Sequence, residues 1–492
     1  MDPVTVATFI FYLVGMFTIG IIFYKLTHNL SDYVLGGRRL GGGVAALSAG
    51  ASDMSSWLIL ALPGAMFIGG MSEIWLPIGL AAGAYLNWQF MARRLRRYTA
   101  YANDSITIPD FLENRFRDRT KLLRMISAVF ILLFFAFYTS SGLVGGATLF
   151  QGSFGWEYTT ALWVGAAVII VYTFLGGFLA VSWTDFFQGI LMFLALIVVP
   201  IRAMMEMGGW NETVQAVGEV DPAHLDVFTG ASAIGIISLL AWGLGYFGQP
   251  HIITRFMAIK SEDEVPKARL IGMTWMVLSL FGAIFTGFVG IAYFTGAGPG
   301  NPIAEGDHET VFILFTQVLF DPWIAGFLLA AILAAIMSTI DSQLLVSSSA
   351  LAEDFYKGFL RPHATGTELM WVGRIGVLVI ALIATFLAYN PDSTVLELVQ
   401  YAWAGFGAVF GPVILLSLFW RRMTMPGALF GMIAGGLTVI LWALPEGGIF
   451  DLYELVPGFI MGGLIAIVAS LLSRPPSDEV IAEFERVERR EG

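Results

Sequence analysis

The side chains of this chain that could bind an ion or a small molecule lie within long apolar segments. One segment, residues 45–57, reads Ala-Ala-Leu-Ser-Ala-Gly-Ala-Ser-Asp-Met-Ser-Ser-Trp and carries a single carboxylate, Asp53. A carboxylate at the middle of a membrane-spanning helix costs about 2.5–3.5 kcal/mol on insertion scales. One interpretation is a contact between small-residue helices in which Asp53 accepts a hydrogen bond. The other is an interrupted helix whose free carbonyls and helix ends bind an ion and a substrate.

A second segment, residues 241–251, is poor helix material. It reads Ala-Trp-Gly-Leu-Gly-Tyr-Phe-Gly-Gln-Pro-His, so that glycines and a proline are interspersed with aromatic side chains. Glycine and proline both destabilise the interior of a helix. The pattern indicates either a kinked packing helix with an aromatic core stripe or a second broken helix at a binding site.

A third segment, residues 330–343, ends with hydroxyl and carboxylate groups on one helical face. Ser338, Asp341 and Ser342 are spaced i, i+3 and i+4, and side chains at this spacing are neighbours. Hydroxyl and carbonyl oxygens are the ligands that hard cations prefer. Spacing alone favours a cation site and a hydrogen-bonded seam between helices equally.

The composition of the 492 residues is typical of an integral membrane protein, with 57% hydrophobic and 13% charged residues. The absence of cysteine excludes disulfides, thiolate nucleophiles, iron–sulfur clusters and Cys-ligated zinc. None of the five histidines is paired at i, i+4, and no P-loop motif is present. A net charge of -11 argues against nucleic acid as a partner. We therefore expect a membrane protein that is not an enzyme.

Thirteen segments are long and apolar enough to span a bilayer, which requires about 20 such residues. They lie at about residues 4–24, 43–70, 72–92, 124–150, 157–176, 182–205, 231–254, 269–296, 322–350, 369–389, 394–420, 425–444 and 455–473. Sorting the 26 Lys and Arg residues by the intervening loops puts all except Arg202 on one side, with Arg255 counted in the loop after the seventh segment. Basic loops stay in the cytoplasm, so we expect an all-α protein with its N-terminus outside and its C-terminus inside.

The two candidate helix breaks fall in the second and seventh segments, which are five apart and therefore run in opposite directions. That arrangement is the signature of two inverted five-helix repeats. We expect a first helix and cytoplasmic loop in residues 1–42, the first repeat in 43–205, an outer loop in 206–230, the second repeat in 231–422, two peripheral helices in 423–473 and a cytoplasmic tail in 474–492.

Four stretches resemble the motifs of the sodium:solute symporter family: residues 48–57, 176–185, 242–251 and 334–343. The resemblance extends from the first segment to the thirteenth and includes residues 33–38 and 401–407. It implies a LeuT-type core of two inverted repeats with three peripheral helices, in the cytoplasmic (inner) membrane of a bacterium. It also implies sodium-coupled symport of a small solute, and the likeness is greatest to the branch that takes up L-proline.

The resemblance also implies a role for particular residues. The main sodium site falls on the carbonyls of Ala51, Met54 and Ala335 and the hydroxyls of Ser338 and Thr339, with Asp53 adjacent. The proline pocket falls on Ser55, Trp57, Tyr138, Trp242, Tyr246 and Pro250. Near the inner end of the pathway, a second cation station or a gate falls on Arg38, Asp185, Asp341 and Ser342.

Three alternatives to a proline symporter remain at this point. The first is the same machinery for another amino acid, a carboxylate or a sugar, although a pocket of Tyr and Trp without a charged anchor disfavours dicarboxylates. The second is a membrane sensor on a transporter fold, which the tail of about twenty residues after Leu472 disfavours because it leaves no room for an output domain. The third is an intramembrane enzyme, for which no convincing nucleophile–base pair is visible.

Overall fold

The computed structural model describes residues 3–25, 30–175, 177–295, 303, 307–390 and 394–489. Gly176, which begins one of the motifs above, lies outside these ranges. Within them the chain is helical, and its β-structure is limited to an isolated parallel bridge between Leu40 and Ile259. This agrees with the all-α class expected from the apolar segments.

The chain forms helices joined by short 3-10 and π-helical turns. The α-helices are α1 Pro3–Tyr24, α2 Leu30–Leu35, α3 Gly42–Asp53, α4 Leu62–Gly69, α5 Trp75–Leu86, α6 Ala92–Tyr101, α7 Ile108–Phe116, α8 Leu122–Phe154, α9 Tyr158–Leu175, α10 Phe178–Glu206, α11 Trp210–Val220, α12 Ala233–Ala241, α13 Pro250–Ala258, α14 Val265–Gly290, α15 Val311–Leu319, α16 Pro322–Ser349, α17 Gly366–Leu387, α18 Val395–Phe419, α19 Met425–Trp442, α20 Leu455–Leu472 and α21 Asp478–Glu488.

Among the described residues, 10 helices are long and apolar enough to cross a membrane, or 11 if one bent pair is a single span. One of them is the 45-residue helical stretch Trp57–Tyr101, which covers parts of two predicted segments. Its backbone turns at Gly70, where a positive φ of 63° favours glycine and a Cβ would lie 2.6 Å from the Cα of His224. The protein is thus a multi-pass membrane protein, while the number thirteen stays a prediction.

The two predicted helix breaks are present. Helix α3 ends at Asp53, and the chain becomes helical again in a π-helical turn, Trp57–Ala61. In the seventh segment, α12 runs into the 3-10 turn Trp242–Gly248, and the helical axis bends by 45° before α13. The glycines of this turn allow close packing, because a Cβ on Gly245 would lie 1.9 Å from Nε1 of Trp403 in α18.

Four long helices enclose the two breaks. Helix α10 packs against α3, α14 and α16, while α16 also contacts α8 and α3. Helix α18 packs against α8 and against the 3-10 turn of the second break. Helix α1 lies on the outside of α10 and α16, and α19 and α20 pack on each other beside α18. The breaks therefore lie in the protein interior, where irregular backbone is tolerated at membrane depth.

Candidate ion and substrate site

Backbone and hydroxyl oxygens converge where the last turn of α3 meets α16. The Ser338 hydroxyl donates to the carbonyls of Ala51 at 2.8 Å and Ala335 at 3.2 Å. The Thr339 hydroxyl donates to the same Ala51 carbonyl at 3.3 Å. All four residues are buried. The structure therefore brings four of the five predicted sodium ligands together, as a set of neutral oxygens suited to a hard monovalent cation.

The fifth predicted ligand, Met54, occupies the break itself. Its N–H donates to the Gly50 carbonyl at 2.8 Å, as in a helix. The helical hydrogen bond to the Met54 carbonyl is missing, because the N–H of Leu58 donates to the Ser55 carbonyl instead, at 3.1 Å. The Met54 carbonyl is thereby left outside the helical ladder, at the end of the turn that carries Ala51.

Asp53 connects the two broken helices. Its Oδ2 accepts a hydrogen bond from the Tyr246 hydroxyl at 2.5 Å, and its backbone carbonyl accepts from Tyr138 at 3.3 Å and from Nε1 of Trp57 at 3.2 Å. The other carboxylate oxygen, Oδ1, is buried without a hydrogen-bond partner among the described residues. The carboxylate thus bonds to the predicted proline pocket, whereas the Ser338 and Thr339 hydroxyls bond to the backbone of α3.

A small cavity adjoins Asp53, with room for about one water molecule. Asn87, Trp88 and Met276 line it together with Asp53 and Tyr246. Asn87 is also tied to the second break, because its Nδ2 donates to the Tyr246 carbonyl at 3.0 Å. The sequence analysis did not single out Asn87, since one amide in an apolar segment carries no spacing signal.

The aromatic side of the site includes Trp403, which the predicted pocket lacked. Its Nε1 donates to the Trp242 carbonyl at 2.8 Å, and its ring centroid lies 5.0 Å from that of Tyr246. The Trp242 ring is stacked against Tyr453 at 5.4 Å. Trp403 lies in one of the family-like stretches, but a tryptophan in an apolar helix is more often a packing residue, so the pattern alone could not assign it.

The remaining predicted pocket residues divide between two places. Ser55 lies in the first break, where its hydroxyl accepts from the N–H of Trp57 at 3.3 Å. Pro250 is the first residue of α13 and faces a different cavity, which is lined by Ile131, Val346 and Asp354 among others. The structure therefore gathers Ser55, Trp57, Tyr138 and Tyr246 around Asp53. Trp242 is linked to this group through Trp403, and Pro250 lines a separate cavity.

Arg38 lies away from these pockets and joins two other segments. Its guanidinium donates to Asp104 at 2.8 Å and to the carbonyls of Met257 and Ser105 at 2.7 Å each. It thereby links the end of α13 to the loop after α6, near the place where the sequence predicted the inner end of the pathway.

The prediction that Arg255 lies in a cytoplasmic loop is wrong. It lies in α13 with its side chain fully buried, and its guanidinium forms an ion pair with Asp185 at 3.2 Å. Ser48 donates to the same Asp185 oxygen at 2.7 Å. Asp341 and Ser342, the other members of the predicted second station, are also fully buried, and Arg255 donates to the Ser342 hydroxyl at 2.5 Å.

A metal site of the kind that divalent ions use is not evident. Across the described ranges there is no cluster of three or more His, Asp or Glu side chains that could hold a metal ion. The neutral oxygens at the α3–α16 contact are therefore the best candidate for an ion site.

Comparison with known proteins identifies the class. The profile of the Sodium:solute symporter family matches residues 33–435, and the chain belongs to this family. It is 54% identical over 477 residues to the sodium/proline symporter of Escherichia coli, covering 97% of this chain and 95% of that protein. It is 53% identical over 485 residues to the sodium/proline symporter of Salmonella typhimurium, covering 98% and 95%. The high-affinity proline transporter PutP of Bacillus subtilis is 56% identical over 470 residues, covering 95% and 98%.

Solved structures of remote similarity establish the fold. A Na+-coupled sialic acid symporter in a substrate-bound outward-open state superposes with a TM-score of 0.79 at 20% identity, covering 97% of this chain and 99% of that one. A nucleobase-cation-symport-1 family transporter, Mhp1, superposes with a TM-score of 0.54 at 17% identity, covering 94% and 100%. The fold is thus the LeuT type expected from the motifs.

Proposed function

We propose that this protein is a secondary active transporter that takes up L-proline together with Na+ by alternating access. The observation that carries the proposal is the oxygen cluster at the α3–α16 contact, which adjoins two broken helices joined through Asp53 and Tyr246. The relatives that cover nearly the whole chain are named sodium/proline symporters.

Sodium is the proposed coupling ion, held by the carbonyls of Ala51, Met54 and Ala335 and the hydroxyls of Ser338 and Thr339. These five ligand groups are neutral. The negative charge near the ion would come from Asp53, which follows Ala51 by two residues. Three hydrogen bonds already link four of these oxygens.

Proline is the proposed substrate because the groups around Asp53 suit a small zwitterion with an apolar ring, which the cavity there would admit when it widens. The chain becomes helical again at Trp57, and the positive end of the dipole of that helix can face the substrate carboxylate. The rings of Tyr138 and Tyr246 surround the same place and can enclose the pyrrolidine. Trp242 supports Tyr246 through Trp403.

The energetics of coupling are sufficient without ATP. One Na+ moving with a neutral zwitterion carries one charge, worth about 2.3 kcal/mol per 100 mV. A tenfold sodium gradient adds about 1.4 kcal/mol. The sum, about 3.7 kcal/mol, supports an accumulation of several hundred-fold.

The proposed arrangement in the membrane follows from charge and repeat symmetry. We infer a bacterial cytoplasmic membrane, with the N-terminus outside and the C-terminus in the cytoplasm. The inverted repeats are residues 43–205 and 231–422. This division is supported by the two breaks, which lie in α3–α4 and α12–α13.

The test is uptake of radiolabelled proline by proteoliposomes with and without an imposed sodium gradient. We expect accumulation only with the gradient, and competition by unlabelled proline but not by other amino acids, carboxylates or sugars. Stronger competition by another solute would assign the same machinery to that solute. Proline binding without counterflow would indicate a sensor rather than a transporter.

A further inference from the structure

Arg255 carries a buried positive charge at a point where four helices meet. From α13, its guanidinium donates to Asp185 on α10 at 3.2 Å, to Ser342 on α16 at 2.5 Å and to Ser48 on α3 at 3.1 Å. A further bond runs to the His251 carbonyl within α13 at 2.9 Å, and the Phe178 ring lies 5.1 Å away. The exposed fraction of both Arg255 and Asp185 is 0%.

The groups that receive these bonds resemble a second set of cation ligands. One carboxylate oxygen and two hydroxyl oxygens are the kind of ligands that Na+ takes in proteins. Ser342 is one helical turn beyond Ser338, to whose carbonyl its hydroxyl donates at 2.9 Å, so this set is adjacent to the proposed sodium site. Asp341 adds a buried carboxylate whose Oδ2 has no hydrogen-bond partner in the described part of the chain.

In this protein those oxygens are already taken by a cation that cannot leave. The guanidinium uses Asp185 Oδ2 and both hydroxyls, and it supplies one of the positive charges that two buried carboxylates require. A charged group in a membrane interior is tolerated only with such compensation. Removing Arg255 would both free three oxygen ligands and leave an additional uncompensated negative charge, which a cation from solution can neutralise.

We propose that Arg255 takes the place of a second coupling ion and thereby fixes the ratio at one Na+ per proline. This inference rests on the proposed function, and it makes Arg255 a determinant of stoichiometry that does not touch the substrate. It predicts that a neutral residue at position 255 converts the protein into a symporter of two Na+ per proline.

The experiment measures the coupling ratio in proteoliposomes by reversal potential and sodium binding to the purified protein with radioactive Na+. For the wild type we expect one Na+ per proline, one bound Na+ and a hyperbolic dependence of uptake on sodium. For Arg255→Gln we expect a ratio of two, a second bound Na+ and a Hill coefficient near two. A folded Arg255→Gln protein with a ratio of one and one bound Na+ would overturn the proposal.

Two further variants separate charge from structure. Arg255→Lys keeps a tethered cation, so its ratio should remain one. Arg255→Gln combined with Asp185→Asn removes the partner charge as well, so its second Na+ should be lost and its Hill coefficient should return to one. A second Na+ in either of these variants would show that charge replacement is not the cause.

Removal of one partner from a buried ion pair is strongly destabilising, so Arg255→Gln could fail to fold. In that case sodium binding to the wild type still tests the proposal. Two bound Na+ per wild-type protein would overturn it, while a single bound Na+ would support it. Proline uptake that ignores the sodium gradient would overturn the proposed function instead, so the two failures are distinguishable.

Discussion

At the scale of single residues, the carboxylate and the backbone carbonyl of Asp53 make separate contacts. Its carboxylate accepts from Tyr246 on the second broken helix, and its carbonyl accepts from Tyr138 and Trp57. An amide can keep the Tyr246 bond through its carbonyl oxygen but cannot supply the negative charge. A neutral, nearly isosteric substitution therefore tests the charge alone.

We predict that Asp53→Asn loses sodium-driven uptake while the protein still inserts and folds. A hydrogen bond or contact to a charged group is worth about 1.5–3 kcal/mol more than none, so the half-saturation for sodium should rise by about tenfold or more. Uptake against sodium concentration in proteoliposomes measures this. Near-normal sodium dependence in the folded variant would remove Asp53 from the ion site.

Ser338→Ala and Thr339→Ala each remove one proposed sodium ligand and leave the backbone ligands in place. Loss of one neutral oxygen costs about 1–2 kcal/mol, so the sodium half-saturation should rise by about fivefold to thirtyfold. Proline affinity at saturating sodium should change less. The matched control is Ser347→Ala, which removes a buried hydroxyl of the same helix. A selective loss of proline affinity would assign these hydroxyls to the substrate pocket.

Trp242→Ala and Tyr246→Ala should raise the half-saturation for proline, because both remove rings from the second break. Truncation of a large buried aromatic also costs about 3–5 kcal/mol of stability, so thermal unfolding must be measured beside proline binding. Tyr246→Phe keeps the ring and removes only the hydroxyl that bonds Asp53. Stable alanine variants with unchanged proline affinity would make the aromatic cluster a packing feature.

At the scale of elements, the helix breaks were predictable and the contacts between them were not. Glycine, proline and a mid-membrane carboxylate are conspicuous in an apolar segment, which is why the interruptions at Met54 and at Trp242–Gly248 could be read from the sequence. Arg255 was misassigned because it directly follows an apolar stretch, where a loop arginine is expected. Its pairing with Asp185, 70 residues away, exists only in three dimensions.

The segment between α14 and α16, on the predicted outer side, carries a group that links α18 to pH. The buried carboxylate of Glu309 accepts from the N–H groups of Val395 and Leu396 at 3.2 and 3.3 Å, at the start of α18. Burial raises the pKa of Glu309 from 4.5 to about 7, although the two N–H groups oppose the shift. When the outer side opens and Glu309 is hydrated, its pKa should return toward 4.5. Between pH 4.5 and pH 7 the form with Glu309 buried therefore binds more protons than the open form.

We therefore predict that acid favours closure of the outer side between pH 7 and pH 4.5. The ratio of closed to open molecules should rise by roughly tenfold or more from pH 7.5 to pH 5. The chain has no cysteine, so a single Val395→Cys reporter labelled with a mercurial can follow the opening. Glu309→Gln should abolish the pH dependence, and an equal pH response in both backgrounds would contradict this role.

At the scale of the whole molecule, the final described helix contacts several of the loops that are predicted to be cytoplasmic. The amphipathic α21 buries Phe484 against Tyr98 of α6, with the guanidiniums of Arg94 and Arg115 at 5.2 and 5.5 Å from its ring. Ion pairs surround this contact: Glu483 with Arg117 at 2.5 Å and Glu485 with Arg421 at 3.0 Å. The helix thus joins α6, α7 and the turn before α19, which belong to different parts of the proposed repeat structure.

We predict that Phe484→Ala shifts the protein toward states that are open on the inner side. Alternating access requires the helix ends on the predicted inner side to separate, and a helix that bridges them would stabilise their closed arrangement. The cavity beside Pro250 is lined in part by Ile106 and Thr107 of the predicted cytoplasmic loop after α6. An Ile131→Cys reporter in this cavity should therefore be labelled several-fold faster in the Phe484→Ala background. Apparent proline affinity from outside should fall by a similar factor, because the competent fraction is smaller. The control is Val468→Ala on α20, whose side chain is 49% exposed. Equal labelling rates for Phe484→Ala and the control would mean that α21 packs on these loops without restraining the transport cycle.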